Sequence, residues 1–493
     1  MAWCQLKTRQ PKLPYADEMP FWNTISSFTF GLPLFLLMLI IGLGFLISTR
    51  GFLFTKTIKI VQFSLKTTRG TSSGSSIQVS SFQAAMLSLC GTVGASGLLG
   101  VVTSLQLGGA GAVFWMLAFG LVILVFKHFE TTLAIHWRRV YNDGSVFGGP
   151  MLYLARGLVD SNARVVGVIG GVFALLSLLV ALTYGNILPV LSATNFLNTT
   201  QHIPKSLISL VLAVALMVVV AGGVARAARV AQIVFPVMLA LLVLSCLVVL
   251  LLNLEHIPKA VASVFSGAFG LSSLAGGAAG LGIQKILSEG MARAVLSTQA
   301  GMGSSSIAHA QAQTDHAARQ GLWGILEGLI GLGVTGFFAL VVLSVPNALA
   351  SRNQSSIVVL VNVFSGSGLL STVMVLGVSL AIFLLAFCAL IAWEFYAEES
   401  LAYLIGDGFR WALKLVFCGL VFLTPLFNFS SFAFLPSILI GTVVLVNVLG
   451  LLLLSPQVVS LTRGFFANEP YLPPDLNNAV SPDIFEEFDF DLP

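Results

Sequence analysis

The sequence predicts an all-α, polytopic membrane protein of eleven transmembrane helices. Three observations carry this. The 493 residues are 57% apolar and only 9% charged, with a mean hydropathy of +0.96. Soluble domains carry about 25% charged residues, so this chain lacks the polar atoms to cover a water-facing surface. Long charge-free windows recur along its length, and the lysines and arginines between them alternate in density from one connection to the next. The same numbers exclude a soluble enzyme and a nucleic-acid binder, because the 24 basic residues are scattered. A disulfide scaffold is excluded too: Cys4, Cys90, Cys246, Cys388 and Cys418 show no CxxC spacing, and four lie in apolar runs.

A helix needs about 20 apolar residues to cross the hydrocarbon core. The charge-free windows are 25–48, 82–126, 165–204, 206–225, 230–254, 260–284, 328–351, 371–393 and 415–462. The second divides at Gln106-Leu-Gly-Gly-Ala-Gly111 and the last at Asn428-Phe-Ser-Ser431, and the third is continuously apolar only to about Val190. Eleven spans result, placing the termini on opposite sides. The first window is too long for a signal peptide and no small-residue cleavage site follows it. Of the basic residues, 18 fall in connections on one side and 6 on the other. The positive-inside rule makes the richer side cytoplasmic. The expected organisation is an extracytoplasmic segment 1–23, a membrane domain 24–463 and an acidic cytoplasmic tail 464–493, read as solvated chain. The expected location is the inner or plasma membrane.

Two spans are unusually rich in glycine. The second reads Leu89-Cys-Gly-Thr-Val-Gly-Ala-Ser-Gly-Leu-Leu-Gly100, and the seventh holds six glycines between Gly267 and Gly282. Each glycine inside a helix costs about 1 kcal/mol relative to alanine, so such clusters point to unwinding or very close packing. With the first span set aside, these are helices one and six of ten. Carriers built from two inverted five-helix repeats break the first helix of each repeat and bind substrate and ion there. That correspondence favours transport over packing alone. Lys127, His128, Glu130 and Glu327 border spans and read as interfacial, with a local Lys–Glu pair. Glu394 follows an apolar run of some twenty residues and also reads as interfacial, with a functional role as the alternative.

The chain resembles the alanine or glycine:cation symporter family of sodium-coupled amino-acid carriers. The likeness rests on Gly91-Thr-Val-Gly94, Gly109-Ala-Gly-Ala-Val-Phe-Trp-Met116, Lys127-His-Phe-Glu130 and Gly148-Gly-Pro-Met-Leu-Tyr153. It continues through Gly276-Gly-Ala-Ala-Gly280, Ala300-Gly-Met-Gly-Ser304, His309-Ala-Gln-Ala-Gln-Thr-Asp-His316, Gln320-Gly321 and Trp393 with Phe395, Tyr396 and Glu398. The resemblance implies a leucine-transporter-type five-plus-five inverted repeat behind one extra helix, with the first and sixth core helices broken. It implies import of a small neutral amino acid, with sodium as the coupling ion and no enzymatic activity, resident cofactor or metal.

The chain departs from the family pattern at several positions. Where the family continues Thr-Gly-Asn after its Gly-Thr-Val-Gly, this chain has Ala95, Ser96 and Gly97. The family's substrate-site glutamine after Gly-Asn is here Pro189, and its Ser-Asn-Glu-Ala-Gly is Ser297-Thr-Gln-Ala-Gly301, with the acid neutralised. Ahead of Trp393 the family's Ser-Thr is Cys388-Ala389. Sodium wants oxygen ligands, which neither a thiol nor a methyl group supplies. Coupling by sodium through backbone carbonyls and coupling by protons through Glu394 therefore both stay open. The expected substrate site is Thr92, Gly94, Ser96, Gly97, Gly276, Gly277 and Trp393, with Cys388 and Glu394 at the cation site. Between two unwound backbones, main-chain N–H groups meet a carboxylate and carbonyls an ammonium, which suits alanine or glycine in either hand. Trp393 would limit side-chain size. The rival readings are an uncoupled facilitator and a non-transporting sensor.

Overall fold

A computed structural model describes residues 20–56, 61–62, 79–141, 144–158, 163–269, 279–349, 354–365, 369–427 and 434–471. Among these the chain is helical apart from two pairs of two-residue strands: Val79–Ser80 with Ala312–Gln313, and Arg139–Val140 with Val146–Phe147. Eight helices are long and apolar enough to cross a membrane, and one bent pair passes the same test jointly. In chain order the elements are α1 (Thr24–Ser48), the pair α2 (Ser81–Thr92) and α3 (Ala95–Gly108), α4 (Gly111–His136) and α5 (Gly167–Gln201). The shorter apolar α6 (Lys205–Val220) precedes α7 (Gly223–Leu252). Then come α8 (Ile257–Ala268), α9 (Ala279–Thr298) and α10 (Ser304–Ala310). The rest are α11 (Ala317–Ser344), α12 (Ser356–Phe364), α13 (Ser371–Ile405), α14 (Asp407–Leu426) and α15 (Leu435–Ala467).

The expected break in the second span is present. α2 and α3 meet at 42°, and Val93 and Gly94 between them are extended (φ −98°, ψ 82° and φ −109°, ψ 161°). α2 starts on a capping box in which the Ser80 hydroxyl accepts from the Gln83 N–H while Gln83 closes back on the Ser80 N–H. α11 is capped by His316, whose Nδ1 accepts from the Ala318 N–H at 3.0 Å. Burial lowers the His316 pKa from its ordinary value, which keeps that nitrogen unprotonated.

Among the described residues, the second break lies beyond the glycine run. Residues 270–278, with Gly276 and Gly277, lie outside the described residues. α9 runs antiparallel to α3. Glu289 stands against Gly108 and Arg293 against Gly100, while Thr92 and the Ser297 carbonyl converge on Gly331. The helix then unwinds over Gln299–Gly303 and resumes as α10. Gln299, Gly301 and Gly303 have φ of 52°, 84° and 73°, the left-handed region that glycine enters without a side-chain penalty. Residues 284–321, expected as a cytoplasmic connection, are therefore largely bundle, and Lys285 and Arg293 leave the cytoplasmic side of the charge count.

α11 packs on α4 through small residues. A β-carbon at Gly324 would come within 2.6 Å of the Thr131 hydroxyl and 2.7 Å of the Lys127 carbonyl, whereas Gly333 faces open space. Overpacking of this kind costs about 1–3 kcal/mol. Gly324→Leu is expected to lower the detergent-solubilised unfolding midpoint by several degrees, and Gly333→Ala to leave it unchanged. Fluorescence-detected gel filtration after heating measures both.

Candidate functional site

The two main-chain breaks adjoin each other. Gln299 at the start of the second donates its side-chain amide to the carbonyl of Gly91, three residues before Gly94, at 2.7 Å. Its Oε1 accepts from the Ser304 hydroxyl at 3.1 Å. The other unwound groups are met by a second set. Glu130 on α4 accepts from the Gly303 N–H at 3.1 Å, and Asn447 on α15 donates to Glu130 at 2.8 Å and to the Gly301 carbonyl at 2.9 Å. The Tyr153 hydroxyl donates to Asn447 at 2.5 Å. Glu130 and Tyr153 thus have a role that spacing alone did not reveal: they hold the second break in shape.

Between the breaks lies a charge cluster with no solvent exposure. The Lys127 ammonium sits 2.9 Å from a Glu327 carboxylate oxygen and donates to the Ser305 hydroxyl. Glu327 also accepts from the Thr92 hydroxyl and stands 2.9 Å from His309 Nε2. Gln320 Nε2 lies 2.9 Å from His309 Nδ1. One tautomer satisfies both contacts: a neutral imidazole donating from Nε2 to the carboxylate and accepting at Nδ1. The interfacial reading of Lys127, Glu130 and Glu327 is therefore corrected, and His309 is buried with them. All four are fully or almost fully buried, because each has a partner that offsets its desolvation. The neutralised acid at 299 bears on this. Gln299 bonds to Ser304, the neighbour of Ser305 in the cluster, and the carboxylate that meets Lys127 is that of Glu327, 200 residues along the chain.

A cavity of about 980 Å³ is lined by residues that follow the first break and precede the second: Ser96, Leu99, Gly100 and Thr103 on one wall, Arg293 and Leu296 on the other. α5 closes it with Thr183, Tyr184, Leu188 and Ser192. It reaches Lys205 and Phe427 at the end of the bundle that the charge count makes external. Gly97 has no atom within 4 Å of where a β-carbon would stand, so the missing family asparagine leaves room. In α5, residues Ala181–Ile187 widen into a π-helical turn. Pro189 is the physical reason: it has no N–H for the Gly185 carbonyl, and its ring crowds that carbonyl.

Trp393 is buried outside the cavity lining, edge-on to Tyr184 at 5.6 Å and to Tyr396 at 5.4 Å, with Gly185 against its ring. It backs the Tyr184 wall. Thr92 lies at the charge cluster and Gly94 at the break, where its β-carbon would stand 3.5 Å from that of Ala389. Cys388 is fully buried beside Ala389, as is Cys90 on α2. Glu394 is not interfacial: it is 2% exposed, one turn before the ion-paired Glu398 and Glu399, which Arg410 holds at 3.2 and 2.8 Å. The structure thus places Ser96 at the cavity, Gly97 beside it in sequence but outside the lining, and Gly94 with Ala389 at the break. It sets Thr92 and Glu394 in separate clusters. Arg293 was missed, although Lys285, Glu289 and Arg293 at intervals of four are a helical stripe and not a loop.

The description "Sodium:alanine symporter family" matches residues 17–471. The sodium/alanine symporter AgcS of Methanococcus maripaludis is 31% identical over 91% of this chain and 97% of its own length. The uncharacterized transporter YflA of Bacillus subtilis is 30% identical over 94% and 96%. Among solved structures, a mutant of the manganese transporter of Eremococcus coleocola superposes with a TM-score of 0.50 at 15% identity, covering 80% of this chain and 88% of that one. At that identity the likeness shows the fold alone.

Removing one partner of a buried ion pair strands a charge and costs about 3–5 kcal/mol, whereas replacing both by apolar groups is often neutral. Glu327→Gln is expected to lower the thermal midpoint sharply, and Lys127→Met with Glu327→Leu to recover most of the loss. Equal midpoints for Glu327→Gln and the parent chain would contradict the pairing.

Proposed function

Because this chain belongs to the sodium:alanine symporter family, we propose that it is a secondary active transporter importing a small neutral amino acid, alanine or glycine in either hand, by cation symport. One observation carries the reading: two adjoining main-chain breaks flank a deep cavity. Unwound backbone inside a membrane bundle supplies the amides and carbonyls that a zwitterion needs. The multi-pass architecture fits alternating access, and the family is one of transporters, so we assign no enzymatic activity, resident cofactor or metal.

The architecture we infer has eleven spans, with α9 and α10 together forming the seventh. Behind α1, the first repeat comprises α2/α3, α4, α5, α6 and α7. The second comprises α9/α10, α11, α13, α14 and α15. The first helix of each is broken, the second at Gln299–Gly303 among the described residues. We place the N terminus outside, the C terminus inside and the domain in the inner or plasma membrane. In this reading the segments 1–23 and 464–493 are an extracytoplasmic N-terminal segment and an acidic cytoplasmic tail, of which 20–23 and 464–471 are described.

Sodium is the coupling ion that the family points to. The wall between the first break and α13 supplies Cys388, Ala389 and Ala392, so side-chain oxygens are scarce there and carbonyls would have to coordinate. That chemistry keeps a proton as the second reading, with Glu394 its candidate carrier.

Labelled alanine uptake into proteoliposomes tests both. An inward sodium gradient is expected to drive accumulation above equilibrium. Accumulation driven only by a pH gradient selects the proton, and equilibration without accumulation marks an uncoupled facilitator. Trp393→Ala, which removes the support behind Tyr184, is expected to improve competition by leucine about tenfold, the scale of a few methylenes in an apolar pocket. Unchanged selectivity would take Trp393 out of the size filter.

A further inference from the structure

Arg293 is a cation with no carboxylate at ion-pair distance among the described residues. Its guanidinium lies over Gly100 of α3, where a β-carbon would collide with it, so the glycine makes room for the side chain. Its Nε reaches only the Ser104 hydroxyl, at 3.4 Å. The nearest acid on its own helix, Glu289, is engaged at 2.8 Å by Lys285 and accepts from Ser104 at 3.3 Å. Among the described residues no ion pair forms at Arg293. Tyr184 lines the same cavity from α5, as does Ser96 from α3. The cavity that Arg293 lines contains a second cation, Lys205, several hydroxyls and no carboxylate among the described lining residues.

An unpaired guanidinium set into a bundle wall is costly unless something anionic meets it. Its planar fork matches a carboxylate through two parallel hydrogen bonds, a geometry a lysine cannot reproduce. The excess positive charge also raises the local concentration of anionic groups entering from that end. Ser96 and Gly100 on the facing wall line the same cavity as the arginine.

We propose that Arg293 captures the carboxylate of the incoming substrate, so that the cavity is a docking site for small carboxylate-bearing molecules ahead of the two breaks. This rests on the import reading for its direction, while the anion site stands on the cavity alone. The carboxylate docks at Arg293, leaving the ammonium end to face the carbonyls at the breaks. Molecules with the carboxylate but no ammonium should therefore bind, and amines without a carboxylate should not.

The full-length protein in detergent, titrated with alanine, propionate and ethylamine while its unfolding midpoint is followed, reads this directly. Alanine and propionate are expected to raise the midpoint and ethylamine to leave it unmoved. Arg293→Gln is expected to weaken both binders at least tenfold, with Arg293→Lys recovering only part. Ser104→Asp, which keeps the arginine and offers it an internal carboxylate, is expected to weaken them comparably and covers the case in which Arg293→Gln does not fold. Unchanged affinity for alanine in these variants would overturn the docking role and leave the import reading standing. Binding of propionate through Arg293 with no binding or uptake of any amino acid would uphold the docking site and overturn the amino-acid substrate. No binding of either carboxylate to the parent chain would overturn the docking site.

Discussion

A chain that unwinds inside a bilayer must give every freed carbonyl and amide a partner, because no water is there to do so. The rest of this structure is arranged around that requirement. Gln299 ties the second break to the carbonyl of Gly91, just ahead of the first, while Glu130 and Asn447 meet the Gly303 amide and the Gly301 carbonyl. These bonds reach into α2, α4, α10 and α15, so the breaks fix how distant parts of the chain meet. A move of either break has to be accompanied by rearrangement of its satisfiers, which is the kind of linked, two-state element that alternating access needs.

The Lys127–Glu327 pair is a second constraint layered on the first. It joins α4 to α11, and through Thr92 and Ser305 it touches the ends of both half-helices at the breaks. A buried pair of this kind adds little net stability over apolar packing, but it heavily penalises arrangements that separate the partners. Its value here is specificity of arrangement: a charge cluster that is whole only when α2, α4, α10 and α11 are in register.

Composition and charge-free windows were enough to read a helical membrane protein, and the glycines from Gly91 to Gly97 were enough to locate the first break. The second was hidden for a physical reason. Its half-helix carries Lys285, Glu289 and Arg293, which depress hydropathy, and the unwound segment Gln299–Gly303 looks like a loop in sequence. A glycine run some twenty residues earlier drew attention away from it. Lys127 and Glu327 were misjudged for a related reason: a charge within a turn or two of a span's end is ordinarily interfacial, and only a partner 200 residues away in sequence reveals that it is buried. Polar residues in this chain are informative through their contacts, which spacing does not encode.

The central claim is that the cavity beside the two breaks opens outward and holds the substrate. Ser96 lines that wall and is partly exposed, and the described native cysteines are buried. The most direct measurement places a single cysteine there, Ser96→Cys, in a variant whose five native cysteines are replaced, and follows labelling by a membrane-impermeant thiol reagent in intact cells with and without alanine. The account predicts labelling from outside that alanine slows in proportion to its occupancy. Labelling only after the cytoplasmic face is exposed, or labelling from outside that no small amino acid alters, would contradict it.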